Sequence, residues 1–135
     1  EAGYAGFSAV KPWLKAHPDY PQRNVARQQA DPHSLLSYTR QLIALRREHA
    51  CLREGDFQLH PQKDKQVLVY ERSLGAQERV LVCLNFSDSQ RVVDLPEGIQ
   101  NSELLFSNAG RQALSAPDRH LRLKPYEVML IRVRS

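Results

Sequence analysis

The chain has few of the residues that build covalent or metal-held scaffolds. Cys51 and Cys83 are its only cysteines, and they form no CxxC pair. A disulfide framework is therefore not expected, and a free, buried thiol in a reducing compartment is. The five histidines (His17, His33, His49, His60 and His120) are well separated, with no HxxxH spacing and no Cys/His cluster. No metal site or cofactor is expected from such a set. No run of about 18 apolar residues occurs, so no membrane span is expected. The first residues also lack a basic-then-apolar leader pattern, which together with the thiols gives a cytoplasmic expectation. The net charge is +4, but Lys and Arg are scattered. The densest basic pair, Arg46-Arg47, falls near an expected helix C-terminus, where cations suit the helix dipole. Nucleic acid is not expected as a partner. The Asn85-Phe86-Ser87 sequon falls at an expected strand end and reads as chance.

What is present suits one domain, or one small domain with an appendage. With 41% hydrophobic and 25% charged residues, a packed core can form. Residues 1–30 read as irregular, because Pro12, Pro18 and Pro21 bar a regular element across them. Tyr4, Phe7, Trp13, Leu14 and Tyr20 are a heavy apolar load for a free loop, since aromatic rings need a surface to lie on. Residues 31–49 read as a helix, with Asp31 as N-cap, Pro32 at the first helical position and Arg46, Arg47 and His49 in the last turn. Leu35, Leu36, Tyr38, Leu42, Ile43 and Leu45 cover about half its circumference. So wide a stripe implies two neighbours, of which one small sandwich supplies only part.

From Gly55 the hydrophobic period changes to two. Residues 66–72 and 79–86 read as strands joined through a turn at Gly75, with Val80, Val82, Leu84 and Phe86 on one face. Further short strands are expected near 56–60, 90–95, 102–106, 119–123 and 126–134. Gly98, Gly110, Pro117 and Pro125 are among the residues punctuating them. No βαβ alternation and no repeat is present. The fold class is mostly β: an antiparallel β-sandwich of Greek-key type with seven or eight short strands, preceded by an irregular loop and one amphipathic helix.

Five segments in order carry a resemblance. Residues 5–28, AGFSAVKPWLKAHPDYPQRNVARQ, follow a pattern close to AGF…PW…NPNY…NV, with only the first Asn of NPNY replaced, by His17. Leu42-Ile43-Ala44-Leu45-Arg46 fits a Leu-Ile-x-Leu-Arg helix core. Gly55-Asp56-Phe57, Leu84-Asn85-Phe86-Ser87 and Leu123-Lys124-Pro125-Tyr126-Glu127 complete the set. Together they resemble the end of α-glucosidases of the α-amylase superfamily, a group that includes the isomaltase, dextran-glucosidase, trehalose-synthase and sucrose-isomerase relatives. The resemblance implies a loop remnant of the barrel rim at 1–30, the last barrel helix at 31–52 and a C-terminal β-sandwich domain at 53–135.

It also implies that the chemistry lies elsewhere. Retaining glycoside hydrolysis needs two carboxyl groups about 5 Å apart, supplied in this superfamily from barrel strand ends. None of those strands is here, so no catalytic residue is carried over and no turnover is expected of this chain alone. Glu54, Asp56, Asp88 and Asp94 read as turn and surface residues. Trp13 is the one candidate substrate contact, although packing as a loop anchor is the commoner role for a Trp beside Pro. Tyr70, Phe86, Phe106 and Tyr126 would make a glycan platform if they shared an exposed face, but their apolar neighbours favour core burial. The expected role is a non-catalytic C-terminal domain supporting a (β/α)8 barrel. The alternative is a stand-alone carbohydrate-binding β-sandwich. The expected partners are that barrel and a second copy docked through the exposed helix face.

Overall fold

A computed structural model describes residues 3–76, 78–97, 99, 102–114 and 119–133. Gly98, Pro117 and the last residue of the strand expected to reach 134 lie outside the described residues. The chain divides into two compact units, Glu1–Gln41 and Leu42–Ser135.

The first unit opens with a tight helical turn at Gly3–Gly6 and a run of prolines and turns. It is not wholly irregular, because a short helix, α1, spans Val25–Ala30. Asn24 begins it: its Oδ1 accepts from Arg27 N–H at 3.0 Å, while its Nδ2 donates to the Tyr20 and Pro21 carbonyls. The Asn of the Asn-Val pair is thus an N-cap.

The long helix, α2, runs Leu35–Glu48, starting three residues later than an N-cap at Asp31 suggests. Asp31 spends its side chain on His33 N–H at 2.8 Å, a local turn that keeps Pro32 outside the helix. Ser34 takes over the start, accepting from Ser37 N–H at 3.2 Å and donating to the Gln28 carbonyl at 2.6 Å. A third helix, α3, follows at Cys51–Glu54; too short to show a helical period, it escaped the reading of the sequence.

Among the described residues the second unit holds seven strands: β1 Asp56–Leu59, β2 Val67–Leu74, β3 Glu78–Asn85, β4 Arg91–Asp94, β5 Glu103–Ser107, β6 His120–Leu123 and β7 Val128–Val133. They form an antiparallel sheet ordered β1-β2-β3-β7-β5 and an antiparallel pair β4-β6. After β3 the chain alternates between the two sheets, and β7 returns to pair with β3 on one side and β5 on the other. The last strand starts at Val128 rather than 126, because Pro125 and Tyr126 (φ 52°) occupy a turn.

The core lies between the sheets. Val67 and Val69 of β2, Leu81 and Cys83 of β3, and Met129, Ile131 and Val133 of β7 meet Val93, Leu121 and Leu123 of the pair, with Leu95 and Ile99 closing one end. Odd-numbered β3 residues therefore face the core, and the even set that shares one face lies on the opposite side. Val80 and Val82 are nonetheless buried, on the outer face of the five-stranded sheet. A strand apolar on both faces is one covered on both faces. Part of that outer cover is α3, which packs on β2 and β3 with Cys51 and Leu52 buried.

Gly55 sets how closely α3 approaches. A Cβ there would sit 2.6 Å from both the Cys51 and Ser73 carbonyl oxygens. Its φ of −70° is open to any residue, so contact rather than backbone freedom demands glycine. Gly55→Ala is expected to destabilise the fold by about 1–3 kcal/mol through forced separation of α3 from β2. Urea unfolding measures it, and an unchanged midpoint would contradict this packing.

Candidate functional site

The first unit has an ordered polar frame and an uncovered apolar side. His17 and Asp19 pair, Arg23 lies 3.4 Å from Asp19, and the Tyr20 and Gln22 amides close turns on the His17 and Asp19 carbonyls. Gln28 locks the approach to α2, its side-chain oxygen accepting from Leu36 N–H at 3.1 Å. On this frame Trp13 is 92% exposed, Phe7 84% and Leu35 76%. Val10 and Leu14 are exposed too, and α2 buries no residue along its length. The sugar-contact candidate, Trp13, is thus not packed as a loop anchor within the described residues. The helix stripe splits, with Leu35, Leu42 and Ile43 exposed and Leu36, Tyr38 and Leu45 half-buried.

The surface carboxylates fall where the sequence put them: Glu54, Asp56, Asp88 and Asp94 are exposed, and Asp94 Oδ1 lies 2.8 Å from His120 Nδ1. Among the described residues the buried carboxylates are Glu71 and Glu127, to which the sequence reading assigned no role. Each is gripped by an arginine. Arg79 donates Nε and Nη2 to Glu71 at 2.8 and 3.0 Å. Arg111 donates Nε to Glu127 Oε1 at 2.6 Å and Nη2 to Oε2 at 2.8 Å. Glu127 also accepts from Ser107 Oγ and the Lys124 amide, and Arg111 Nη2 reaches the Arg122 carbonyl at 2.7 Å.

Burial alone would raise the Glu127 pKa. The guanidinium, the Lys124 amide and the Ser107 hydroxyl outweigh it and hold the carboxyl below the usual range. Hydrogen bonding from Arg79 does the same for Glu71, against a smaller burial effect. A glycosidase general acid needs the opposite perturbation. These groups are braces.

Asn85 completes the brace. Its Nδ2 donates to the Ser89 and Lys124 carbonyls, each at 2.8 Å, and its Oδ1 accepts from Ser87 N–H at 2.9 Å. With both amide hydrogens engaged and the side chain buried, the sequon at Asn85 is no glycan acceptor in the folded chain. The thiols are equally inert. Burial, then the charge and hydrogen bond of Glu78, push Cys51 up to about 11, and burial pushes Cys83 up to about 12.

Of the aromatic platform candidates, Phe106 is buried and Tyr70 half-buried, with Tyr70 stacked on Phe57 at 5.1 Å. Phe86 and Tyr126 are exposed, against the expected burial, because each lies just past a strand end.

The class defined by these features is a braced antiparallel β-domain with a helical lead on which Leu35, Leu42 and Ile43 are exposed. Comparison gives the family. Residues 1–55 match the alpha amylase catalytic domain, and residues 67–129 match the alpha-amylase SusG C-terminal domain. The chain is 38% identical over 125 residues to the probable oligo-1,6-glucosidase 2 of Bacillus subtilis, covering 91% of this chain and 22% of that protein. It is 34% identical over 132 residues to the oligo-1,6-glucosidase of Parageobacillus thermoglucosidasius, covering 96% of this chain and 23% of the relative. Among solved structures, the trehalulose synthase of Pseudomonas mesoacidophila superposes with TM-score 0.87 at 34% identity, over 97% of this chain and 23% of that one. An isomaltulose synthase of Erwinia rhapontici gives 0.87 at 31%, over 100% and 24%. The chain belongs to the α-amylase family and holds the passage from the end of a catalytic domain into a C-terminal domain. It spans less than a quarter of the length of these relatives.

Removing the Arg111 side chain leaves Glu127 buried and unpaired, so Arg111→Ala is expected to cost about 3–5 kcal/mol in chemical denaturation. The folded-state pKa values of Glu71 and Glu127 lie below their ordinary values. Their contribution to stability is therefore present above the ordinary glutamate pKa and lost as pH falls through the lowered values. Acid titration followed by circular dichroism should show this loss, and Glu127→Gln should flatten it. An acid limb of undiminished steepness in that variant would place the sensitivity elsewhere.

Proposed function

We propose that the chain is the non-catalytic C-terminal part of an α-glucosidase-type enzyme. In this reading its first half completes the (β/α)8 barrel, and the β-domain supports that barrel. The parent acts on α-glucosidic oligosaccharides by retaining hydrolysis or glucosyl transfer. The names of the relatives, oligo-1,6-glucosidases and trehalulose and isomaltulose synthases, support that substrate class. One observation carries the reading. The leader and α2 are held by local hydrogen bonds, yet Phe7, Trp13 and Leu35 all stand in the open. Apolar area left in water forgoes roughly 25 cal/mol per Å², and a barrel is the body of the family that would cover it. The free thiols Cys51 and Cys83 support a cytoplasmic setting.

The exposed Phe86 and Tyr126 favour one rival, a glycan-binding module. The two readings part in solution. The purified chain is expected to release no glucose from maltose or isomaltose, and Trp13 fluorescence is expected to stay constant as either sugar is added. Saturable quenching at millimolar sugar supports the binding module instead, and appreciable glucose release defeats the non-catalytic assignment. Joined to its catalytic domain, the chain should be indispensable, and a barrel that keeps its turnover after residues 56–135 are deleted has no need of support.

A further inference from the structure

The two-stranded sheet has an open side. Its rungs alternate, and Leu95 N–H donating to the Arg119 carbonyl at 2.8 Å fixes which residues bond inward. Arg91 and Val93 share the parity of Leu95 and turn their peptide groups toward β6, so those of Val92 and Asp94 point away from it. Among the described residues no strand lies on that side of β4. An edge of this kind is a template for another strand.

A side chain from the β1–β2 connection occupies it instead. Gln62 Oε1 accepts from Asp94 N–H at 2.8 Å, and Gln62 Nε2 donates to the Asp94 carbonyl at 3.0 Å. A side-chain amide carries the same donor and acceptor as a peptide group, and this reciprocal pair is the one a neighbouring strand would make. Gln62 Nε2 also donates to the His60 carbonyl at 3.2 Å, which fixes the amide from its own side. Further along, Asp64 lies 3.6 Å from Arg91 Nη1, and Gln66 Oε1 accepts from Arg91 Nη2. Lys63 and Lys65, between them, are exposed. Alternate residues thus turn to β4 while the lysines face water.

The same segment is fastened by its backbone to the larger sheet. His60 N–H donates to the Val69 carbonyl at 2.9 Å, and Phe86 N–H donates to the Gln66 carbonyl at 2.9 Å. Between these ties Asp64 Oδ1 accepts from Gln66 N–H at 2.9 Å, a local turn that sets the direction of both side chains.

We propose that residues 60–66 close the β4 edge against strand addition, with the Gln62 amide standing in for the absent neighbour. The strand kept out is β4 of a second copy, because two such edges are self-complementary when they meet antiparallel. Val92, 48% exposed, is the outward rung to which the segment supplies no hydrogen bond among the described residues, so it is where a second copy gains a hold once Gln62 lets go. Lys63 and Lys65 set positive charge beside the edge of each copy, which opposes the approach of another. The proposal concerns the β-domain itself and stands whether or not a barrel precedes it.

Gln62→Met keeps the length of the side chain and removes both hydrogen bonds to Asp94. In amide exchange followed by NMR, the Asp94 amide of that variant is expected to exchange roughly tenfold faster, while the Leu95 amide, bonded to Arg119, keeps its rate. Sedimentation should show self-association beyond that of the unaltered chain. Adding Val92→Pro, which deletes an edge-facing N–H without touching the β6 ladder, should abolish the excess. Unchanged exchange at Asp94, or equal acceleration at Leu95, overturns the proposal. So does a variant that gains no association, or one whose added association survives Val92→Pro.

Discussion

The Arg111–Glu127 pair is the fastening on which the β-domain depends. Glu127 lies at the entry to β7, the strand between β3 and β5, and is fully buried. Arg111 joins it to the carbonyl of Arg122 in β6, while Ser107 of β5 and the Lys124 amide fill the remaining acceptor sites. One side-chain pair thus ties the five-stranded sheet to the two-stranded one. Burying an ion pair carries a desolvation cost of several kcal/mol per ion, so it stabilises only where geometry and hydrogen bonding are complete. Here four donor contacts reach one carboxylate, and the pair fixes how the sheets meet as well as holding them together.

A second constraint follows from the two apolar faces of the larger sheet. Its inner face closes the core with Leu81, Cys83, Met129 and Ile131. Its outer face carries Val80, Val82, Leu130 and Phe106, all buried, and α3 covers part of it over Gly55. Toward Phe57, Leu59, Phe86 and Tyr126 that face is exposed. A two-layer sandwich has no use for apolar residues on its outer side, whereas a three-layer arrangement has. The exposed leader and α2 pose the same question on the first unit, and a family whose members are more than four times as long offers one answer to both.

The buried carboxylates and thiols are each held in one protonation state. Carboxylates held ionised by guanidinium groups cannot serve as proton donors near neutral pH, and thiols raised to about 11 and 12 are not nucleophiles there. What is buried here serves shape. Among what is exposed, the aromatic and aliphatic residues Phe7, Trp13, Leu35, Phe57 and Phe86 are the kind that meet protein.

Much of this was legible in the residues themselves. The short apolar runs between Gly and Pro punctuation located the seven strands of the described residues. The ordered motifs were enough to name the family. Helix starts were less legible: Asp31 and Ser34 are both good caps, and only the Gln28 carbonyl waiting for Ser34 Oγ decided between them. Which face of β3 meets the core was not legible, because a doubly covered strand has no polar side to betray its orientation. The Arg111–Glu127 brace and the exposure of Phe86 and Tyr126 came from tertiary structure alone. The charge of Glu127 is buried because its partner arrives from a loop sixteen residues away, and no local pattern records that meeting.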